Sequence, residues 1–295
     1  MVMEYLVIDI GGTKIKFGIF SNQGIKRFSA KLDTPDNKAD FTQIIERLIR
    51  KYRNQIKGVA ISVPGKVNVK KGIVYHGGSL PYLDEYNFKG VIQAIVPTLK
   101  VRLQNDGKAG ILGEKWRGCL QNDDNAAAIV LGTAVGGGII LNGQILEGSH
   151  FQAGEFSFLP NNIKAQGKEC FTGTSGSAVN MIEACTGILG LANRQDGRKV
   201  FEELKAHNSK IWPLFSEYCR GIAYLILGLQ AILDLDSYVI AGGISANSIL
   251  ITEIRRAYEQ VASGTPFVKP VIKQARLQND ANLYGALYTF LQTVK

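Results

Sequence analysis

Long apolar runs are missing from this chain of 295 residues. None approaches the ~18 consecutive apolar residues that a membrane-spanning helix needs. The richest stretch, Gly221-Ile-Ala-Tyr-Leu-Ile-Leu-Gly-Leu229, lies between Arg220 and Gln230 and reads as a buried helix. Strand-like sequence begins almost at once and includes Glu4, which argues against a secretory signal, so a cytoplasmic protein away from membranes is expected. Cysteine is scarce and unpatterned. Cys119, Cys170, Cys185 and Cys219 show no C-x-x-C spacing; zinc ribbons need close ligand pairs, and a chain this long does not depend on a disulfide framework. Reduced, packed thiols are expected. Basic clusters are absent as well: the net charge of +9 is dispersed, with no basic run beyond two residues and no basic-aromatic module. Nucleic acid is therefore not an expected partner, although the excess charge favours anionic nucleotides. Neither a Walker A loop (G-x-x-x-x-G-K-[ST]) nor a G-x-G-x-x-G fingerprint occurs, which removes the two common nucleotide scaffolds.

What the chain does have is a pair of glycine-rich turns about 120 residues apart, each flanked by strand-like sequence. The first is Asp9-Ile-Gly-Gly-Thr-Lys14, between Tyr5-Leu-Val-Ile8 and Ile15-Lys-Phe-Gly-Ile-Phe20. The second is Leu131-Gly-Thr-Ala-Val-Gly-Gly-Gly138, between Ala126-Ala-Ala-Ile-Val130 and Ile139-Ile-Leu141. Glycine permits positive φ in a turn and lets bare backbone N–H groups approach a phosphate. Thr13 and Thr133 add a hydroxyl to each. Two such turns suggest a duplicated fold holding a nucleotide between its halves.

The length allows about two domains. Strands are expected over residues 5–10, 15–20 and 25–31. A helix follows, with Asp40 and Gln43 as a capping box and Phe41, Ile44, Ile45, Leu48, Tyr52 and Ile56 on one face. Strands at Gly58–Val63 and Leu99–Leu103 complete a βββαβ…β order that begins again after Ala126, a two-layer α/β pattern. A long helix through about 211–233, a strand at Tyr238–Ile240 turning at Gly242-Gly243, and a helix near Asp280–Phe290 close the chain. The polar stretch 160–176 reads as an exposed loop or lid, whose structure the pattern does not decide.

Phosphoryl transfer needs a phosphate cradle, magnesium and a carboxylate to take the acceptor's proton. Asp9, ending a buried strand, suits the metal, since a buried carboxylate is costly unless it serves a cation or its waters. A turn-capping role is the alternative. Asp106 ends another strand, where carboxylates face ligands in α/β sheets; a helix-capping role fits the same spacing.

These segments resemble the ROK family (repressors, open reading frames and sugar kinases) of the actin-like ATPase superfamily. The likeness runs through Asp9–Lys14, Ser62-Val-Pro-Gly-Lys-Val67, Gln104-Asn-Asp106 leading to Gly113-Glu114, Leu131–Gly138, Ala153-Gly-Glu155 and Ile240-Ala-Gly-Gly-Ile-Ser245. The resemblance implies an α/β, duplicated ribonuclease-H-like fold with two lobes around a central cleft. The lobes would span 1–113, with a helix about 279–295 packing back on it, and 114–278. It further implies that Asp106 is the base for a sugar hydroxyl, usually O6. Gly65, Gly78, Ser79, Asn105 and Glu155 would bind the sugar. Gly11, Gly12, Thr13, Lys14, Thr133, Gly136 and Gly137 would hold ATP phosphates, Gly242 and Gly243 the nucleoside, and Asp9 Mg2+, directly or through water. A homodimer is also implied.

The chain departs from the family pattern after Glu155. Many members carry a Gly-His pair where Ser157 and Phe158 stand, followed by a cysteine-rich zinc motif of which only Cys170 remains. Structural zinc is not expected, and the second sugar-binding Glu has no equivalent. His150, upstream, reads as a loop histidine. A-G-E-F without zinc ligands resembles the β-glucoside kinase branch; with Phe158 in place and the His and second Glu missing, the anomeric side is expected to open to a second sugar ring or aglycone. The expected function is ATP-dependent phosphorylation of a β-glucoside such as cellobiose, or of glucose. N-acetylmannosamine is an alternative sugar. A non-catalytic sugar-binding regulator is the alternative class, and a repressor is disfavoured because only eight residues precede Asp9.

Overall fold

The computed structural model describes residues 3–162 and 164–293. The first two residues of the expected 1–113 segment, Ile163 of the expected 160–176 loop, and the last two of the expected C-terminal helix lie outside these. The chain divides into two compact units: Met1–Gln121 with Glu147–Ala153 and Asn279–Lys295, and Asn122–Leu146 with Gly154–Gln278. Among the described residues, no helix is long and apolar enough to cross a membrane.

The first unit opens with β1 (Glu4–Ile10), β2 (Lys14–Ser21) and β3 (Lys26–Asp33), then α1 (Lys38–Tyr52) and β4 (Gly58–Val63). A small sheet of β5 (Lys66–Asn68), β6 (Ile73–Tyr75) and β7 (Tyr86–Asn87) precedes α2 (Phe88–Ile95), β8 (Lys100–Asn105) and α3 (Asp106–Arg117). The main sheet runs β3-β2-β1-β4-β8. Its β1–β2 and β2–β3 pairs are antiparallel, and β1–β4 and β4–β8 are parallel. Successive side chains of a strand point to opposite faces. Leu6, Ile8 and Ile10 accordingly enter the core with Phe41, Ile45 and Leu48 of α1, while Tyr5 and Val7 enter a second cluster on the other face.

The second unit repeats the arrangement. Its elements are β9 (Ala126–Leu131), β10 (Val135–Leu141), β11 (Gln144–Ile145), α4 (Thr172–Ser175), α5 (Ala178–Ile188), α6 (Gly197–Lys205), α7 (Trp212–Leu233), β12 (Ser237–Ala241), α8 (Ser248–Val261) and β13 (Val271–Gln274). The sheet order is β11-β10-β9-β12-β13, again antiparallel on one side of the first strand and parallel on the other. Ile222 and Ile226 of α7 pack with Ile129 and Leu131 of β9 and Ile254 of α8. The chain ends in α9 (Ala281–Gln292), whose Leu283, Ala286, Leu287 and Phe290 join Tyr5, Val7, Phe20 and Ala60 of the first unit.

One local expectation is corrected. The α1 cap is Asn37, whose side chain accepts from the Asp40 N–H and donates to the Asp40 carboxylate at 2.8 Å. Asp40 and Gln43 therefore form no capping box, because the helix starts at Lys38. Ile56 lies past the helix end, though buried. Within 160–176, whose conformation the sequence pattern leaves open, a 3-10 turn at Gly167–Cys170 leads into α4, and Pro160 bridges Phe171.

The four cysteines carry no disulfide; Cys185 and Cys219 are buried, Cys119 and Cys170 half-buried. Burial raises the Cys185 thiol to about 11 and pushes Cys219 up as well. The thiolate is the nucleophile. Native protein at about pH 8 should therefore alkylate slowly at both, and mass mapping of iodoacetamide adducts should place early label on Cys119 or Cys170. Early label at Cys185 would contradict the assigned burial.

Candidate functional site

The first unit's candidate residues gather at the C-terminal ends of β1, β4 and β8. Register does part of this work. Asp9 lies directly across from Lys16 on β2 and from Ser62 on β4, and directly opposed residues have side chains about 5 Å apart. The Ser62 hydroxyl donates to Asp9 Oδ1 at 2.9 Å, Asn282 Nδ2 of α9 donates to the same oxygen at 3.0 Å, and Lys16 Nζ stands 3.5 Å from Oδ2. Asp9 is 5% exposed. One oxygen is satisfied twice, while among the described residues the other faces a long ammonium contact. Such a carboxylate fits a water-mediated hold on Mg2+, which keeps most of its waters and takes one or two carboxylates.

The turn after Asp9 differs from expectation in mechanism. Gly11 N–H donates to the Lys14 carbonyl at 3.0 Å, yet neither Gly11 nor Gly12 adopts positive φ. Their small size serves close approach instead. A Cβ on Gly12 would lie 3.3 Å from the Ser79 hydroxyl, and one on Gly11 3.2 Å from the Lys14 carbonyl. Thr34, the residue after β3, fastens the turn, donating its hydroxyl to the Gly11 carbonyl at 2.7 Å and its N–H to the Thr13 carbonyl. Gly12, Thr13 and Lys14 are exposed, and Lys14 pairs with Asp33 at 2.5 Å.

Gly65 and Gly78 stand back to back. Both have positive φ, and a Cβ on Gly65 would crowd the His76 carbonyl and Gly77. His76 also has positive φ, and its N–H donates to Asp84 Oδ1 at 2.7 Å. That hydrogen bond holds the Asp84 carboxyl below its usual range. Asn105 ties this wall to the candidate base: its Nδ2 donates to the Gly65 carbonyl at 3.0 Å and to Asp106 Oδ1 at 3.1 Å. Asn105 is also the N-cap of α3, accepting from the Lys108 N–H. Asp106 is thus the first helical residue rather than the cap. Its Oδ1 accepts from the Gly107 N–H at 2.9 Å, at a helix end where a negative side chain is favoured.

In the second unit the turn is confined to Gly132–Ala134, closed by Gly132 N–H to the Ala134 carbonyl. Gly136 and Gly137 lie in β10. Gly137 is buried, and a Cβ there would run into Phe156, so its lack of a side chain has a packing cause. An added Cβ at Gly132 or Gly136 would make only ordinary van der Waals contact, 3.9 Å from the Ala134 carbonyl and 3.7 Å from Val130, and Thr133 is exposed. Gly242 has positive φ and passes against the Leu131 carbonyl, closer than a Cβ would allow; Gly243 is exposed. A cavity of about 680 Å³ is lined by Leu131, Gly132, Ile182, Phe201, Gly243 and Asn247. A larger one, about 1060 Å³, runs beside Tyr218 and Tyr224 of α7 and includes none of the expected residues.

Glu155 is exposed and precedes a 3-10 turn at Phe156–Phe158. The Ser157 hydroxyl is committed to Val135, accepting from its N–H and donating to its carbonyl, both at 3.0 Å. Phe158 is 68% exposed and meets Phe171 edge-on. Among the described residues no group of three or more His, Cys, Asp and Glu could hold a metal ion. Sequence reasoning missed Lys16, Thr34 and Asn282 as partners. Asn282 lies 273 residues from Asp9 and carries no local signal.

Two α/β units with the same five-strand order, each led by a glycine-containing hairpin, define the duplicated ribonuclease-H-like fold of actin-like ATPases. The ROK family model matches residues 5–293, and the chain belongs to that family. It is 30% identical over 297 residues to a beta-glucoside kinase from Listeria innocua serovar 6a, covering 98% of each chain. Among solved structures, a ROK family protein from Streptococcus pneumoniae TIGR4 in complex with sucrose superposes with TM-score 0.87 at 30% identity, covering 99% of each chain. The Lmo2764 protein from Listeria monocytogenes gives TM-score 0.88 at 26% identity, covering 99% of this chain and all of that one.

Proposed function

We propose that the protein is an ATP-dependent sugar kinase that phosphorylates O6 of the non-reducing glucose of a β-glucoside such as cellobiose. The observation that carries this reading is the Asn105–Asp106 pair, joined to Gly65 at the start of α3. It presents a carboxylate beside amide and backbone groups suited to sugar hydroxyls. Asp106 takes the proton of the attacking hydroxyl as its oxygen bonds to the γ-phosphorus, and the bond from phosphorus to the β–γ bridging oxygen breaks, releasing ADP. Gly65, Gly78, Ser79 and Asn105 line the sugar's position, and Glu155 serves its anomeric end.

Gly11, Gly12, Thr13 and Lys14 in the first unit, and Gly132, Thr133 and Gly136 in the second, are assigned to the phosphates. Lys14 would exchange Asp33 for phosphate, an inexpensive trade for an exposed pair. Gly137 is withdrawn from direct contact because Phe156 covers it. The 680 Å³ cavity beside Gly243 suits the nucleoside. Asp9 would hold Mg2+ through its waters; the ion, when bound, offsets phosphate charge.

The β-glucoside reading is supported by the Listeria innocua relative and by Phe158, whose ring, though it touches Phe171, is exposed enough to stack on a second sugar. Measuring ADP release with cellobiose, glucose, N-acetylmannosamine, mannose and fructose tests it. Cellobiose should give a kcat/KM at least about tenfold above glucose, the scale of one added hydrophobic contact. Preference for free glucose would overturn the β-glucoside assignment, and product NMR would check O6.

A further inference from the structure

Beneath the Asn105–Asp106 pair lies a charged network, buried at Lys108 and partly exposed at Glu147, to which the proposed chemistry gives no role. Lys108, on the first turn of α3, has a side chain only 2% exposed. Its Nζ donates to Glu147 Oε2 at 2.8 Å, to the Glu147 carbonyl at 3.1 Å and to the Phe151 carbonyl at 3.2 Å. All three ammonium protons have acceptors. Glu147 Oε1 accepts from Gln104 Nε2 at 2.9 Å, and Gln104 Oε1 accepts from the Asn105 N–H at 2.8 Å. An unbroken path of hydrogen bonds therefore runs from Lys108 through Glu147, Gln104 and Asn105 to Asp106.

Stability alone is a weak reason for this arrangement, because apolar packing commonly replaces a buried ion pair at no loss. Orientation is a better one. Gln104 is 1% exposed, and an amide's two ends differ in hydrogen-bonding sense. A carboxylate only accepts, so Glu147 forces Nε2 of Gln104 toward itself and Oε1 toward the Asn105 N–H.

We propose that Glu147, supported by Lys108 and acting through Gln104, is a positioning residue that fixes Asn105 and hence the Asp106 carboxylate for proton acceptance. The assignment rests on the sugar-kinase reading.

In Glu147→Gln, the new amide must turn its oxygen to Lys108 and so its N–H to Gln104. Gln104 then flips and sets N–H against the N–H of Asn105. Adding Gln104→Glu restores an acceptor facing both neighbours. The experiment measures kcat, both KM values and thermal stability with cellobiose, glucose and MgATP for the wild type, Glu147→Gln and the double variant Gln104→Glu/Glu147→Gln.

Glu147→Gln is expected to lower kcat by about 10- to 100-fold, the scale of a misplacement of up to about 1 Å. KM values should stay within about threefold, and the double variant should regain at least about tenfold in kcat. Unchanged kcat in Glu147→Gln, even with lower stability, would make the network merely structural, and failure of the double variant to recover would break the path at Gln104.

Gln104→Glu alone keeps the question answerable if Glu147→Gln folds poorly. It sets two carboxylates face to face, so its kcat relative to wild type should rise as pH falls from about 8 to about 6 and the pair shares a proton. A flat ratio overturns the assignment. If wild type transfers phosphate to no sugar tested, the assignment falls with the kinase reading; active wild type with unaffected Glu147→Gln sinks the assignment alone.

Discussion

Asp106→Asn is expected to cut turnover by roughly 10²- to 10⁴-fold, the usual contribution of a general base. That corresponds to about 2.7–5.5 kcal/mol of transition-state stabilisation. The substitution is informative because it leaves the surroundings in place. An amide oxygen still accepts from the Gly107 N–H and from Asn105 Nδ2. Stability and both KM values should therefore change little. Asn105→Ala makes the contrast. It removes the α3 cap, costing about 0.5–2 kcal/mol, and cuts the tie to Gly65, so stability and sugar affinity should fall together with turnover. Stopped assays with cellobiose and MgATP, alongside thermal melts, separate the two. Near-wild-type turnover in Asp106→Asn would remove the base from the mechanism and leave only a helix-terminal carboxylate.

The parts of this site carried by chain-local signals were readable in the sequence; the parts made by long-range packing were not. Asp9 and Asp106 stood out because a polar residue ends a buried strand before a turn or helix. The repeated hairpins announced a duplicated sheet, since alternation and glycine turns are local. Lys108 gave no such signal: next to Gly107 near a helix start it looks like a solvated lysine. Its burial is accounted for by acceptors on Glu147 and Phe151, 39 and 43 residues on. Gly137 read as a turn glycine, whereas the cause of its small size is the ring of Phe156. The β5–β7 sheet escaped because strands of two or three residues have too few positions to show a period. At α1 the cap is Asn37, three residues before the expected Asp40.

The helix bearing Asp106 is itself set by an unusually close helix contact, and this supplies the second large effect. Gly113 of α3 faces the Ala281 carbonyl, and Gly285 of α9 faces the Ala109 carbonyl; a Cβ at either would overlap backbone atoms. In an unhindered helix, Gly→Ala gains about 0.8–1 kcal/mol through helix propensity. Gly221 and Gly228 of α7 are such positions, with nothing within 4 Å of an added Cβ, and Ala there should stabilise. At Gly285 the same gain opposes a backbone overlap that no rotamer can relieve. The helices must move apart, and overpacking of this kind typically costs about 1–3 kcal/mol, occasionally more. The clash should win. Gly285→Ala is therefore expected to lower the melting temperature, and Gly285→Val to lower it further. Because α3 starts at Asp106 and α9 carries Asn282, which holds Asp9, the shift reaches both carboxylates. Turnover per folded molecule should fall as well, which Gly228→Ala should not produce. Denaturant titrations of the three variants decide the matter: a Gly285→Ala protein as stable as Gly228→Ala would mean that α3 and α9 do not pack at this distance.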